Sequence, residues 1–172
     1  MTRSKPPFRA DMVGSLLRSK VLADARAKRE TGEVTAAALA EVEDREIKAL
    51  IKKQESIGLQ AVTDGEYRRA WWHFDFLENL DGVEGYIGAS GIQFAGVQTK
   101  AKQIRVVGKL GFSETHPHVQ HFKFLKANTS HTAKVTIPSP SMLHYRGGRK
   151  AVDAKVYPDM DAYYHDLGLA YA

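Results

Sequence analysis

A short apolar segment that ends in two carboxylates constrains this chain more than any other feature. Residues 59–63 follow a long helical pattern, and their composition predicts a short buried strand. Asp-Gly-Glu at 64–66 comes directly afterwards, which puts both acids at the carboxyl end of that strand. In parallel α/β folds, ligands bind on the loops that leave those ends. The alternative is a structural turn whose acids pair with Arg68 and Arg69.

The segments around this strand predict a βαβ-type unit. Residues 7–15 alternate apolar and polar side chains and end in Gly-Ser, which predicts a first strand. A helical segment lies within 16–30, and a second helix runs from an N-cap at Thr35 to residue 57. A strand, two helices and a strand favour parallel pairing. We therefore expect parallel strands near 8–14, 59–64 and 133–138.

The remainder of the chain departs from this rhythm. Residues 81–111 are rich in glycine and alternate in polarity, which predicts an inserted β-hairpin region. A short helix is expected over 114–127 with Ser113 as its cap. A final amphipathic helix is expected to start at Asp159 or Asp161.

Three histidines in the short helix raise the question of a zinc site. His118 and His121 can share a helix face, but Pro117 interrupts the pattern and no nearby acid completes a ligand set. We therefore interpret His116, His118 and His121 as a surface cluster and predict no metal ligands in this chain.

Composition excludes several classes of protein. The 172 residues suffice for one domain with a core, which we expect to span residues 1–172. The net charge of +5 comes from scattered cations, which argues against a nucleic-acid binder. No run approaches the roughly 18 apolar residues of a membrane span, and the first residues lack the apolar core of a signal peptide. We expect a cytoplasmic protein that binds neither nucleic acid nor membrane.

Four ordered motifs resemble the cobalamin-independent methionine synthase family. They are residues 8–18 (FRADMVGSLLR), 54–59 (QESIGL), 62–69 (VTDGEYRR) and 72–76 (WHFDF). Looser similarity continues from Thr136 to the final helix. The match is best to the short, single-domain branch that corresponds to the synthase's C-terminal catalytic barrel.

The resemblance implies a partial (β/α)8 TIM barrel, its first half, in a transferase of methionine biosynthesis. Such enzymes transfer a methyl group from a folate-type donor to homocysteine or a related thiol, and a zinc ion binds the thiol sulfur. The family's Gly-Ser loop matches Val13, Gly14 and Ser15, which would bind the carboxylate of the amino acid. Its Gly-Glu motif matches Glu66, which would bind the ammonium group.

Four further residues are candidate neighbours in the same site: Asp11, Asp64, Arg69 and His73. His73 lies in the aromatic segment 71–77, whose other members are expected to pack in the core. The resemblance assigns no catalytic residue within this chain.

The chain departs from the family in its metal ligands. The family's ligands, a His-x-Cys pair, a Glu and a later Cys, lie in the second half of the barrel, and this chain has no cysteine. Eight βα units need roughly 250 residues. We therefore expect a half barrel, inactive alone, that forms a homo-oligomer or pairs with a complementing second-half chain. The alternative is a non-catalytic binding or assembly protein derived from that half.

Overall fold

The computed structural model describes residues 5–88, 93–98 and 102–172 as a mixed α/β structure. In chain order its elements are α1 (Lys20–Glu30), α2 (Ala36–Ser56), β1 (Ala61–Val62), α3 (Phe74–Leu77), β2 (Asp81–Ile87), β3 (Gln93–Phe94), β4 (Val97–Gln98), β5 (Lys102–Gly111), α4 (Pro117–Ala127), β6 (Thr132–Ala133) and α5 (Met160–Ala170). Among the described residues the strands form three two-stranded sheets, β1 with β6, β2 with β5 and β3 with β4.

The described residues form two compact units. The first comprises the residues up to Arg69 together with Gln120–Thr136, and the second comprises those of Ala70–Val119 and Ile137–Ala172. The expectation of one domain over residues 1–172 stays a prediction. No helix in the described part of the chain is long and apolar enough to cross a membrane.

In the first unit, α1 and α2 begin at the capping residues that local chemistry favours. The Ser19 hydroxyl accepts a hydrogen bond from the N–H of Leu22 at 3.2 Å, and Thr35 does the same for Ala38 at 3.1 Å. Gly58 has a φ of 85° just past the end of α2, a conformation that glycine adopts without strain. The predicted second helix and its N-cap are confirmed.

The apolar faces of α1 and α2 meet β1 and α4 in one core. Its buried members are Leu22, Ile47, Ile51, Val62, Tyr67 and Leu125. Ile57, just past the end of α2 at Ser56, is 62% exposed and lies outside this core.

The central sheet of the first unit is parallel but very short. Ala61 lies opposite Thr132 and Val62 opposite Ala133. The prediction of parallel pairing is confirmed for these two strands, although the paired residues cover only part of 59–64 and 133–138. The pairing ends at Thr63, whose backbone N–H and C=O are both bonded to the side chain of Gln54.

The predicted first strand at residues 8–14 is wrong. Residues 8–19 form no strand, because side chains occupy backbone groups that a ladder would use. The Gly14 carbonyl accepts from the Thr63 hydroxyl at 2.8 Å, and the Met12 carbonyl accepts from the ammonium group of Lys134. A partial barrel is therefore not seen directly, and it stays a prediction.

In the second unit, β2 and β5 form the expected antiparallel hairpin, with Val83 opposite Val106. Residues 89–92 and 99–101 of the predicted insertion lie outside the described residues. The hairpin packs with α3 and α5 over a core whose buried members are Phe74, Phe76, Leu77, Leu80, Ile104, Val106, Leu110, Leu143, Val152, Tyr157, Tyr163 and Leu167.

Two helix boundaries in the later part of the chain test the cap predictions. α5 begins after Asp159, which accepts from the N–H of Asp161 at 3.0 Å, as predicted. The expected start of α4 is wrong, since the helix begins at Pro117. The Ser113 hydroxyl instead accepts from the N–H of Thr115 at 3.1 Å in the preceding turn.

Candidate functional site

The turn after β1 holds its two acids in a strained, buried conformation. Gly65 and Glu66 both have left-handed φ angles, 67° and 59°. This conformation is uncommon for a residue with a side chain and costs about 1–3 kcal/mol, so the surroundings must enforce it. The N–H of Gly65 donates to the Thr63 hydroxyl at 3.0 Å, and that of Glu66 donates to Asp64 Oδ1 at 2.9 Å. The candidate residue Asp64 therefore stabilises the turn.

The loop before α1 packs directly against this turn. The N–H of Leu16 donates to the carbonyl of Gly65 at 3.1 Å. A Cβ atom added to Gly14 would lie 2.5 Å from Thr136 Oγ1 and 3.2 Å from Glu66 Oε1. Only a glycine allows so close an approach. The Gly-Ser loop and the Gly-Glu motif, which are about 50 residues apart, therefore meet within the first unit.

Within the described part of the chain, the carboxylate of Glu66 is bound through one of its two oxygens. Oε1 accepts from the Thr136 hydroxyl at 2.8 Å and lies 3.5 Å from Arg69 Nη1. Arg69 also donates to the Thr136 carbonyl at 2.6 Å, which ties the three residues together. Glu66 is 8% exposed, and its Oε2 has no hydrogen-bond partner in the part of the chain that the structure describes. That oxygen can accept a hydrogen bond from a cationic ligand.

The alternative, a structural turn whose acids pair with Arg68 and Arg69, holds for one of the two arginines. Arg69 does pair with Glu66, but Arg68 pairs with Glu43 at 3.4 Å and with Asp44. Because Arg68 is bound to residues of α2, it does not compete for the Glu66 carboxylate.

The other predicted residues of the loop are exposed. Val13 is 84% exposed, and Ser15 is exposed with its backbone N–H and hydroxyl unpaired among the described residues. Asp11 forms an ion pair with Lys134 at 2.8 Å, and this hydrogen-bonded ammonium group lowers the pKa of Asp11. Asp11 is thus a surface partner of Lys134, while Ser15 has donors to offer a ligand.

Two residues that hold this cluster were not among the predicted site residues. Arg18 Nη2 donates to the carbonyl of Glu66 at 2.9 Å and to that of Arg69, so it clamps both ends of the turn. Thr136 holds the carboxylate itself. The sequence did contain a signal for both residues. Arg18 is the last residue of the first motif, and Thr136 is the first residue of the looser region of similarity.

His73 belongs to the second unit, where it directly precedes α3. It is 4% exposed, its ring centroid lies 4.0 Å from that of Phe74, and neither ring nitrogen has a hydrogen-bond partner among the described residues. Burial, followed by the charge of Arg146, lowers the pKa of His73 to about 4, so the imidazole is neutral at pH 7. Its role as a neighbour of Glu66 stays a prediction.

The surface interpretation of the histidine cluster is wrong for two of its members. His116 and His118 are 1% and 6% exposed. His116 Nδ1 accepts from the N–H of His118 at 3.1 Å, and this leaves Nε2 as the protonated nitrogen, 3.0 Å from the Phe76 carbonyl. Both ring nitrogens of His116 are therefore occupied by hydrogen bonds to the backbone. The described residues contain no group of three or more His, Asp or Glu that could hold a metal ion.

The chain is similar in sequence to proteins from two bacteria. No protein-family model matches the chain. It is 52% identical over 168 residues to the uncharacterized protein YxjH of Bacillus subtilis (strain 168), a match that covers 97% of this chain and 44% of YxjH. A shorter match, 41% identical over 70 residues, covers 41% of this chain and 9% of a Bifidobacterium longum (strain NCC 2705) 5-methyltetrahydropteroyltriglutamate–homocysteine methyltransferase.

A solved structure extends the similarity to three dimensions. The crystal structure of a candidate vitamin-B12 independent methionine synthase from Listeria monocytogenes matches with a TM-score of 0.78 and 45% identity, over 96% of this chain and 46% of that protein. The chain therefore spans slightly less than half the length of YxjH and of the Listeria protein. In sequence and in fold, it is similar to nearly half of a candidate vitamin-B12 independent methionine synthase.

Proposed function

We propose that this chain is the amino-acid-binding part of a methyltransferase of the cobalamin-independent methionine synthase type. The methyl group would pass from a folate-type donor to homocysteine or a related thiol. One observation carries the proposal: a Cβ at Gly14 would lie 3.2 Å from Oε1 of the buried Glu66, and the next residue, Ser15, has an N–H and a hydroxyl with no partner among the described residues. The similarity to the Listeria and Bifidobacterium proteins supports the same class of reaction.

An α-amino acid carries a carboxylate and an ammonium group on one carbon atom, so it needs donors and an acceptor close together. The N–H and hydroxyl of Ser15 are donors for the carboxylate. Glu66 Oε2 is the acceptor for the ammonium group, because Oε1 is already held by Thr136 and Arg69. Since Glu66 is buried, a charge-assisted hydrogen bond to it is stronger than the same bond in water.

The zinc ion implied by the resemblance does not fit the described residues. The chain has no cysteine, and the described residues contain no cluster of three potential ligands. Zinc would supply the activation of the thiol. In this proposal the residues of the chain bind and orient the amino acid, and the metal ligands lie elsewhere.

In this proposal, a region equivalent to the unmatched part of the relatives completes the site. The chain covers 44% of YxjH and 46% of the Listeria protein, so each relative has more than half of its length outside the match. As a partner we propose a complementing chain equivalent to that remainder, or a further copy of this chain. The region that completes the site would also contact the folate-type donor.

Calorimetric titration with L-methionine and L-homocysteine tests the proposed binding. Glu66→Gln keeps the size and the Thr136 contact but removes the charge, and Glu41→Gln makes the same change at an exposed position of α2. A charge-assisted hydrogen bond contributes about 1.5–3 kcal/mol, so we expect Glu66→Gln to weaken methionine binding by roughly 10-fold to 150-fold. Glu41→Gln should bind like the parent.

Two methionine analogues assign the two ends of the ligand. 3-(Methylthio)propionate lacks the ammonium group, so Glu66→Gln should not weaken its binding. Methioninol lacks the carboxylate, so Ser15→Ala should weaken methionine but not methioninol. If Glu66→Gln binds methionine as tightly as the parent, Glu66 is only the ion-pair partner of Arg69 and the proposed role is wrong. If the parent binds neither amino acid, alone or with the complementing chain, the proposed function is wrong.

A further inference from the structure

The Glu66 carboxylate is oriented by a residue from the neighbouring strand. Thr136 follows β6, the strand that lies parallel to β1, and Glu66 follows β1 itself. The register of the two strands therefore brings the Thr136 hydroxyl to Glu66 Oε1 at 2.8 Å, although the residues are 70 positions apart.

The hydroxyl of Thr136 has little freedom to turn away. A Cβ at Gly14 would lie 2.5 Å from its Oγ1 and 3.0 Å from its Cγ2, so the Gly14 backbone packs closely on both branches of the side chain. The Thr136 carbonyl is also held, by Arg69 Nη2 at 2.6 Å. A β-branched residue with both its backbone and side chain held in this way presents its hydroxyl in one orientation.

Arg69 is the group that competes for the carboxylate. Its Nη1 lies 3.5 Å from the same Oε1, which is longer than a normal hydrogen bond. Without the Thr136 hydroxyl, the carboxylate is free to rotate and pair with Arg69 through both oxygens, the geometry that guanidinium and carboxylate groups prefer. That rotation would remove Oε2 from the ligand.

We propose that Thr136 is a positioning residue for ligand binding: it holds Glu66 Oε1 so that Oε2 remains available to the ammonium group of the amino acid. This inference rests on the proposed function. It assigns the two carboxylate oxygens different tasks, one structural and one in recognition.

The test is calorimetric binding of L-methionine to Thr136→Val and Thr136→Ser. Valine keeps the β-branched shape and removes the hydroxyl, whereas serine keeps the hydroxyl. We expect Thr136→Val to bind methionine roughly 10-fold to 100-fold more weakly, since a hydrogen bond to a charged group is lost, and Thr136→Ser to restore most of the affinity. Thr132→Val, at an exposed position of β6, is the matched control and should bind like the parent.

Two readouts separate positioning from a general structural role. Binding of 3-(methylthio)propionate, which has no ammonium group, should change little in Thr136→Val. In the Glu66→Gln background, Thr136→Val should have almost no further effect on methionine binding, because the two residues act through one interaction. Equal weakening of both ligands, or additive effects in the double variant, would overturn the inference.

The outcomes also separate this inference from the proposed function. If the parent binds methionine and folded Thr136→Val binds it equally well, Thr136 does not position Glu66, and the proposed function still stands. If the parent does not bind methionine, both are wrong. Should Thr136→Val unfold, Thr136→Ala is the second hydroxyl-free variant, and Thr136→Ser against Thr136→Ala makes the same comparison.

Discussion

The amide of Gln54 replaces a sheet partner at the point where β1 gives way to the Glu66 turn. Gln54 is 2% exposed, its Nε2 donates to the Thr63 carbonyl at 2.8 Å, and its Oε1 accepts from the Thr63 N–H at 3.0 Å. Thr63 is itself 2% exposed, so water cannot replace either bond. We therefore predict that Gln54→Met destabilises the first unit.

The size of the effect follows from the groups left unpaired. Each buried backbone donor or acceptor without a partner costs about 1–3 kcal/mol, so the two groups of Thr63 together cost about 2–6 kcal/mol. Burying the more apolar methionine side chain offsets about 1 kcal/mol of this cost. The net expected loss is about 1–5 kcal/mol in the free energy of unfolding.

Urea unfolding followed by far-UV circular dichroism measures the loss through the helices of the first unit. Gln120→Met makes the same change at an exposed position of α4 and is the matched control. The two tryptophans of the chain, Trp71 and Trp72, both belong to the second unit, so their fluorescence reports that unit separately. If Gln54→Met unfolds within about 0.5 kcal/mol of Gln120→Met, the pairing of Gln54 with Thr63 does not stabilise the turn.

Two further predictions concern the glycine of the turn and the buried histidine. Gly65→Ala should destabilise by about 1–3 kcal/mol more than Gly32→Ala. Both glycines have positive φ, but only at Gly65 would the added Cβ meet another side chain, at 2.4 Å; equal urea midpoints would contradict the close packing. Because burial lowers the pKa of His73 to about 4, folding favours its neutral form, so its stabilising contribution is complete above about pH 6.5 and is lost as the pH falls towards 4. His73→Phe should therefore lose less stability than the parent between pH 6.5 and pH 4 in urea titrations, and an NMR-measured pKa near 6.5 for His73 would refute this.

Local signals in the sequence were sufficient for the elements whose stability is local. Thr35 and Asp159 cap α2 and α5 as predicted, because a hydroxyl or carboxylate two or three residues before an unpaired N–H satisfies it wherever the helix lies. The antiparallel hairpin at 81–111 also follows from glycine spacing and alternation. The Gly-Ser and Gly-Glu motifs could be identified, since each is contiguous in the chain.

Only the tertiary structure decided which backbone and side-chain groups satisfy one another at the site. The segment at 8–14 has the alternation of a strand, yet Thr63 and Lys134, more than 45 positions away, occupy its carbonyls and remove it from the sheet. The same holds for Thr136, whose hydroxyl reaches Glu66 through the parallel pairing of β1 and β6. Hydrogen bonds between residues distant in sequence depend on packing and register, and neither leaves a periodic pattern in the chain.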